Sequence, residues 1–349
     1  MKPESNLDKD LMGQCIALAL SAFGSTSPNP LVGALLYSDD EIIAKGWHAK
    51  AGEKHAEIVA IESCKNPKGS CLYVTLEPCS SHGRTGPCTD AIINAGIKRV
   101  VMGSLDPNPE HSGQAVAILE AAGIDVSHGV LKKECQALNE AFNCWIRYNR
   151  PYVKLKMAMT LDGKIATKDG QSQWISGTAA RDEVQKMRQW SDAILIGAET
   201  LKQDDPSLLV RNPETWQRQP LRLIASRSGN LDKNAKVFTD GKSKTEIIDC
   251  QTKEDWQTKL KELGENDITA LLIEGGGELS AALLNMGLVD KVCFFIAPKI
   301  LGGKNSRAVI GGADPGALSD AFDLKETTVR QIGEDFLIEG YITDVHRVD

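Results

Sequence analysis

His55 and Glu57 stand two apart in KHAEIVAIE, and Cys79 and Cys88 bracket TLEPCSSHGRTGPC, each following a proline. One imidazole and two thiols make up the ligand set of a catalytic zinc, which takes three protein ligands and keeps a fourth position for water. His55 opens one expected helix, and Cys88 opens another after Pro87, a favoured first-turn residue. Helix N-termini carry partial positive charge, which favours thiolate over thiol and so favours the metal. The metal lowers the pKa of a water toward neutrality. Glu57 lies near His55 without being needed as a ligand, so it is free to carry protons. His-x-Glu, then Pro-Cys, then a second Cys is the order of the zinc deaminases. In that chemistry water attacks a carbon bearing an exocyclic amine, the glutamate moves protons, and ammonia departs.

A structural zinc would call for a fourth protein ligand, for which His82 is the nearest candidate in sequence. His111 and His128 read as surface or hydrogen-bonded residues. Eight residues, SSHGRTGP, separate the two cysteines, where the common nucleobase-deaminase signature has two. The inserted loop, with His82 and Arg84, is expected to shape a different substrate pocket.

The elements that must hold these residues follow from periodicity and punctuation. A helix is expected over 7–23. Two strands flank a turn at Ser38–Glu41, and HAEIVAIESC forms a helix. SCLYVTLE is a strand, CTDAIINAG a helix, KRVVMGSL a strand, GQAVAILEAAG a helix and DVSHGV a short strand. KKECQALNEAFNCWIRY reads as one closing helix. Strands alternating with helices after residue 55 predict a parallel sheet covered on its faces, an α/β fold. RYNRPYV, 147–153, is the joint, giving domains 1–148 and 149–349. Beyond it the alternation restarts. VKLKMAMTLDGKIA is a strand and turn, SGTAARDEVQKMRQWS a capped amphipathic helix, and AILIGAETL a strand leading into a loop. LRLIAS and TEIIDC are strands, DWQTKLKELG a helix, and ITALLIEGGGELSAALLNMG a strand, glycine turn and helix. KVCFFIAPKIL and FLIEGYITDV complete the set, the former a strand that could pair across subunits.

The 349 residues suit two domains of roughly 150 residues each. The net charge of −7 divides into −4 up to Tyr148 and −3 after it, so neither half has the basic excess of a polyanion binder. Nine cysteines in a chain of this length read as reduced thiols plus a metal site, hence a cytoplasmic protein. The N-terminal MKPESNLDKD lacks a signal pattern, and no apolar run approaches the ~20 residues of a membrane span.

SPNPLVG, GWH, HAE, TLEPCSSHGRTGPC and DPNP, followed by KLKMAMTLDGKIAT, SQWIS, DDPSLLVR, LIEGGGELSAALL and IAPKILGG, closely resemble the bifunctional riboflavin-biosynthesis deaminase–reductase family. The resemblance runs from about residue 8 to residue 345. It implies a cytidine-deaminase-like zinc domain followed by a dihydrofolate-reductase-like domain. It also implies one Zn2+ per chain, NADPH, a phosphorylated pyrimidine substrate and a homo-oligomer. Deamination of a diaminohydroxy-phosphoribosylamino-pyrimidine would precede reduction of its ribosyl unit to a ribityl chain.

Carried onto matching positions, the resemblance gives the metal to His55, Cys79 and Cys88 and the proton to Glu57. It gives the pyrimidine to Asn29, His48, Asp106 and Asn108, although Asn-Pro and Asp-Pro are also plain turn formers. Cofactor positions fall on Ala158, Trp174, Thr200, Asp204, Ser226 and the run Gly276, Gly277, Glu278, Leu279, Ser280, Ala281 and Ala282. Reductase substrate positions fall on Ser172, Arg188, Leu208, Arg211 and Glu274, with Lys156 a further polar contact. Gly275, Gly276 and Gly277 lie between strand and helix, where backbone N–H groups can meet phosphate, or where glycine merely permits a sharp turn. Arg188 and Arg211 suit a phosphate, or else a surface ion pair. No GxGxxG follows the first strand of the second half, so NADPH would bind outside a Rossmann motif. The rival readings are a nucleobase or nucleoside deaminase, or a tRNA adenosine deaminase, with an inactive or regulatory C-terminal domain, and a zinc-stabilised binding protein. The acidic first half, the long cysteine loop and Glu57 speak against them.

Overall fold

The computed structural model describes residues 5–81 and 86–347, so His82 and Arg84 of the inserted loop lie outside it. The chain divides into two compact units, Met1–Asn149 with His346–Asp349, and Arg150–Val345. The sequence reading runs the second domain to the C-terminus, whereas His346 clusters with the first unit, its carbonyl accepting from Asn143 Nδ2 at 2.9 Å.

The first unit runs α1 (Asn6–Leu20), β1 (Gly33–Ser38), β2 (Glu41–Trp47), α2 (Ala56–Ser63), β3 (Cys71–Leu76), α3 (Cys88–Asn94), β4 (Arg99–Ser104), α4 (Gln114–Ala121), β5 (Asp125–His128), α5 (Lys132–Leu138) and α6 (Glu140–Tyr148). Its sheet has the order β2-β1-β3-β4-β5. β1 is antiparallel to both its neighbours, and the sheet is parallel only from β3 onward. Side chains alternate between two cores, as the two-residue period of a strand requires. Leu36, Leu72, Val74, Val100 and Met102 meet Ala56 and Ala60 of α2, Ile92 of α3 and Leu119 of α4. Leu35, Tyr73 and Val101 meet Leu11, Met12 and Cys15 of α1 and Cys135 of α5. Gly46 lets α2 begin directly over β2: a Cβ there would lie 2.3 Å from the Ala56 carbonyl oxygen.

The single helix expected over 132–148 is two helices. Asn139, at φ −121° and ψ 29°, breaks it. Its side chain accepts from Leu31 N–H at 2.7 Å and donates to Leu31 O at 2.9 Å, satisfying both backbone groups of a buried residue.

The second unit runs β6 (Tyr152–Thr160), β7 (Lys164–Ala166), α7 (Thr178–Trp190), β8 (Ala193–Gly197), α8 (Ala198–Asp204), β9 (Leu221–Ala225), α9 (Lys236–Thr239), β10 (Thr245–Ile248), α10 (Lys253–Glu265), β11 (Ala270–Ile273), α11 (Gly277–Asn285), β12 (Lys291–Ala297), β13 (Arg307–Ala308), β14 (Lys325–Ile332) and β15 (Asp335–Tyr341). The main sheet has the order β10-β9-β8-β11-β6-β12-β15-β14, and β13 pairs with β7 apart from it. β10 through β12 are parallel, and β15 and β14 add an antiparallel edge. One face buries Leu155, Leu195, Leu223 and Leu271 against Trp256 and Leu260 of α10 and Leu283 of α11. The other buries Ile194, Ile196, Leu272 and Phe295 against Ala180, Val184 and Met187 of α7.

Four expectations change here. The loop after AILIG is helix α8. No side chain of its own flank caps α7; its N-cap is Gly177, whose N–H donates to the Asp335 carboxylate at 2.7 Å. β12, offered for pairing across subunits, is flanked within the chain by β6 and β15. The edge strand on that side of the sheet is instead β14, KETTVRQI, whose polar, exposed residues carry too little apolar periodicity to be read as a strand. Among the described residues no helix is long and apolar enough to cross a membrane.

Candidate functional sites

In the first unit, His55 is the N-cap of α2, with extended backbone and no side-chain cap bond, which leaves its ring free to face the cysteines. Cys88 is the first residue of α3, after the N-cap Pro87. Cys79 follows β3, and its carbonyl accepts from Thr89 N–H at 3.3 Å. His55 Nδ1 lies 3.2 Å from Cys88 Sγ and 3.5 Å from Cys79 Sγ, and Cys88 N–H donates to Cys79 Sγ at 3.2 Å. All three ligand atoms fall within 4.8 Å of one another. A hydrogen bond from the Cys88 thiol, aided by His55, pulls the Cys79 thiol down to about 4. The same bond, burial and the nearby Glu57 push the Cys88 thiol up. A bound cation takes both sulfurs as thiolates. Two sulfurs, one ring nitrogen and no fourth converging ligand among the described residues fit an open zinc site. Glu57, on the first turn of α2, is 3% exposed, and burial holds its carboxyl above the usual carboxylate range.

His48 packs edge-on to His55, ring centroids 5.7 Å apart. Its Nδ1 faces Lys54 O at 3.0 Å, and a carbonyl only accepts, so Nδ1 carries the hydrogen. Its Nε2 then accepts from Asn29 Nδ2 at 3.1 Å. Burial lowers the His48 pKa, which keeps the ring neutral in that tautomer. Asp106 and Asn108 are turn residues, Asp106 Oδ1 accepting from Asn108 N–H at 2.8 Å. Asp106 N–H in turn donates to Glu77 Oε2 at 2.9 Å. Sequence reasoning missed Glu77, although it stands inside the quoted TLEPC.

In the second unit a 1340 Å³ cleft opens beside β6, β8 and β11. Single-ligand pockets are typically ~300–1,000 Å³, so this one has room for two small molecules. Lys156, Ala158, Ser172, Trp174, Arg188, Thr200, Asp204, Leu208, Arg211, Glu274 and the run from Gly276 to Leu279 all line it. Ser226, Ser280, Ala281 and Ala282 do not line it. Ser226 is buried past the end of β9 and accepts from Gly229 N–H. Ser280 and Ala281 are buried within α11, where Ser280 donates to Gly276 O.

Arg188 is not a free anion binder. Its Nε and Nη2 grip Glu274 at 2.6 and 3.0 Å, and Nη1 donates to Leu209 O. Burial raises the Glu274 pKa, but Arg188 outweighs it and holds the carboxyl below its usual value. Burial lowers the pKa of Lys156 next to this pair. Arg211 lines the cleft, and its charge helps hold the Glu274 carboxyl down. Leu208 sits in the left-handed region at φ 55°. Its neighbours are fixed by Arg188 on the Leu209 carbonyl and Arg222 on the Ser207 carbonyl.

Trp174 is 65% exposed at the mouth, under the Arg181 guanidinium at 4.7 Å. Lys299 Nζ donates to Trp174 O and Ile175 O at 2.9 and 2.7 Å. Asp162 accepts from Leu301 and Gly302 N–H at 3.0 and 2.7 Å. The TLDGK, SQWIS and IAPKILGG motifs are thereby tied together. The glycine run has a mixed purpose. Gly275 and Gly276 face the cleft, but a Cβ on Gly277 would lie 2.7 Å from the Ala308 carbonyl oxygen, so this glycine admits the protein's own main chain.

Residues 5–104 match the family described as the cytidine and deoxycytidylate deaminase zinc-binding region, and residues 151–338 match the RibD C-terminal domain. The riboflavin biosynthesis protein RibD of Actinobacillus pleuropneumoniae is 41% identical, covering 95% of this chain and 94% of its own length. That of Escherichia coli is 36% identical over 94% and 97%. Acinetobacter baumannii RibD superposes with a TM-score of 0.87 at 36% identity, covering 96% and 98%. A diaminohydroxyphosphoribosylaminopyrimidine deaminase/5-amino-6-(5-phosphoribosylamino)uracil reductase of Thermotoga maritima does so with 0.87 at 37%, again over 96% and 98%. With two domain matches in order, and relatives and solved structures aligned over 94–98% of each chain, the chain belongs to the RibD family of riboflavin biosynthesis proteins.

Proposed function

We propose that the chain carries out two successive steps of riboflavin biosynthesis. The first is hydrolytic deamination of 2,5-diamino-6-(5-phosphoribosylamino)pyrimidin-4(3H)-one. The second is NADPH-dependent reduction of the ribosyl group to give 5-amino-6-(5-phosphoribitylamino)uracil. The observation that carries the reading is the convergence of His55, Cys79 and Cys88 beside a buried, non-ligating Glu57. A structural zinc has no use for that carboxylate.

His55, Cys79 and Cys88 would hold Zn2+, which supplies the Lewis acidity that makes water a nucleophile near neutral pH. Glu57 takes the proton from the attacking water and passes protons to the ring nitrogen and the departing amine. The amine carbon gains oxygen and releases ammonia. Asn29, oriented through its bond to His48, and Asp106 and Asn108 read the polar edge of the pyrimidine. The cleft would hold NADPH, which when bound would supply a hydride. Ala158, Trp174, Thr200, Asp204 and the turn at Gly276 support its alignment, and Arg211 suits the substrate phosphate. Lys156, Ser172, Leu208 and the Arg188–Glu274 pair form the remaining substrate wall. The ribosyl carbon bonded to nitrogen gains the hydride, and the ring oxygen released from it takes a proton.

The setting is cytoplasmic and the ligands are small molecules, with no nucleic acid. A second copy of the chain covers the β14 edge, where Val329 and, on the adjoining β15, Phe336 are exposed.

The test is incubation with the aminopyrimidine, with and without NADPH, followed by mass analysis. Without cofactor the product exchanges an imino group for oxygen. With NADPH it gains two further hydrogens. Turnover of cytidine or adenosine in place of this substrate would favour the single-activity nucleoside deaminase.

A further inference from the structure

Glu77 is 5% exposed, and a carboxylate that deep is costly unless its oxygens are satisfied. Its hydrogen bonds among the described residues come from backbone N–H groups. Oε2 accepts from Asp106 and Gly113, and Oε1 from Ala115, all at 2.9 Å. Its own N–H donates to Ser104 O at 2.9 Å, which fixes the end of β3 against the end of β4.

These three donors have distinct origins. Gly113 is the N-cap of α4, sits at φ 80° and offers no capping side chain. Ala115 is the second residue of the helix. Glu77 therefore does from β3 what an N-cap side chain does locally, satisfying the orphan N–H groups and facing the positive end of the helix dipole. Asp106 opens the DPNPEHSG segment that runs from β4 to α4. One carboxylate thus pins both ends of that segment, two residues before the ligand Cys79.

We infer that Glu77 is a positioning residue of the deaminase centre. It fixes the Asp106–Asn108 turn at a set distance from Cys79, so that the pyrimidine edge and the metal are presented together. The inference rests on the deaminase reading of this unit. Glu77 spends its carboxylate on backbone N–H groups and acts through the segment it holds. A glutamine in its place would keep one acceptor and turn an NH2 toward N–H donors.

The test uses the full-length zinc-loaded enzyme and compares Glu77→Gln and Glu77→Asp with the unmodified chain. Unmodified chain that fails to release ammonia from the aminopyrimidine would overturn the deaminase reading, independently of Glu77. Given that activity, Glu77→Gln is expected to raise the deamination KM at least about tenfold, the effect of losing one charge-assisted hydrogen bond of about 1.4 kcal/mol or more. Zinc content and NADPH-dependent reduction of pre-deaminated substrate should stay unchanged. Glu77→Asp keeps the charge on a shorter arm and should lie between the two. It decides the matter if the glutamine variant does not fold, since its zinc site and reductase then serve as controls. Unchanged KM in a zinc-replete variant, or a fall in kcat that only follows metal loss, would overturn the proposal.

Discussion

At the scale of single residues, the groups divide by whether their partners are near in sequence. His55, Glu57, Cys79 and Cys88 were legible because their types and order are themselves the chemistry. Glu57→Gln should keep zinc and abolish ammonia release; metal analysis beside an ammonia assay checks it, and retained release would remove the proton-carrying role. Glu77, Lys299 and Asp162 were not legible in these roles, because each acts on backbone groups of a distant segment, which carry no sequence signature. Arg188 was legible as a cation but not as a partner of Glu274. Arg188→Ala should strand that carboxylate in the cleft and destabilise the second unit by about 3–5 kcal/mol, measurable by urea unfolding. The pH dependence follows in sign. Glu274 has a lowered pKa when folded, so its pairing stabilises the protein above the ordinary carboxylate range and is lost as pH falls through the folded value. The gap between variant and unmodified chain should shrink on acidification.

At the scale of elements, period and punctuation give the strands and helices that carry a buried stripe, as in SCLYVTLE and DWQTKLKELG. They fail where long-range contacts override local preference. Nothing local in KKECQALNEAFNCWIRY announces that Asn139 spends its side chain on Leu31 instead of continuing the helix. Asn139→Ala would leave two buried backbone groups unsatisfied, a cost of about 2–4 kcal/mol. Because Leu31 adjoins the Asn29 turn, a lower melting temperature should come with a higher deamination KM. A melting temperature equal to that of the unmodified chain would show that water or a shifted backbone replaces these bonds. β14 was missed for the opposite reason, an exposed edge strand having no core to imprint apolar alternation.

At the scale of the molecule, the two units have separate cores and separate sites, the metal ligands in one and the cleft in the other. Chelation should therefore stop ammonia release while leaving NADPH oxidation with pre-deaminated substrate intact. Loss of both together would show that the metal supports more than its own unit. The division into two α/β halves was legible from the restart of the strand–helix alternation after RYNRPYV. The return of His346 to the first unit was not, since a few C-terminal residues carry no periodicity.

The corner at Gly277 sets a limit on how the cleft can be tailored. There one stretch of main chain rests on another, so no atom can be added without separating them and none is left to remove. Selection or engineering must instead reshape the walls made of side chains, such as Thr200 and Leu208. An inhibitor series extended toward position 277 will meet a fixed boundary, whereas one extended toward Trp174 will meet an adjustable one.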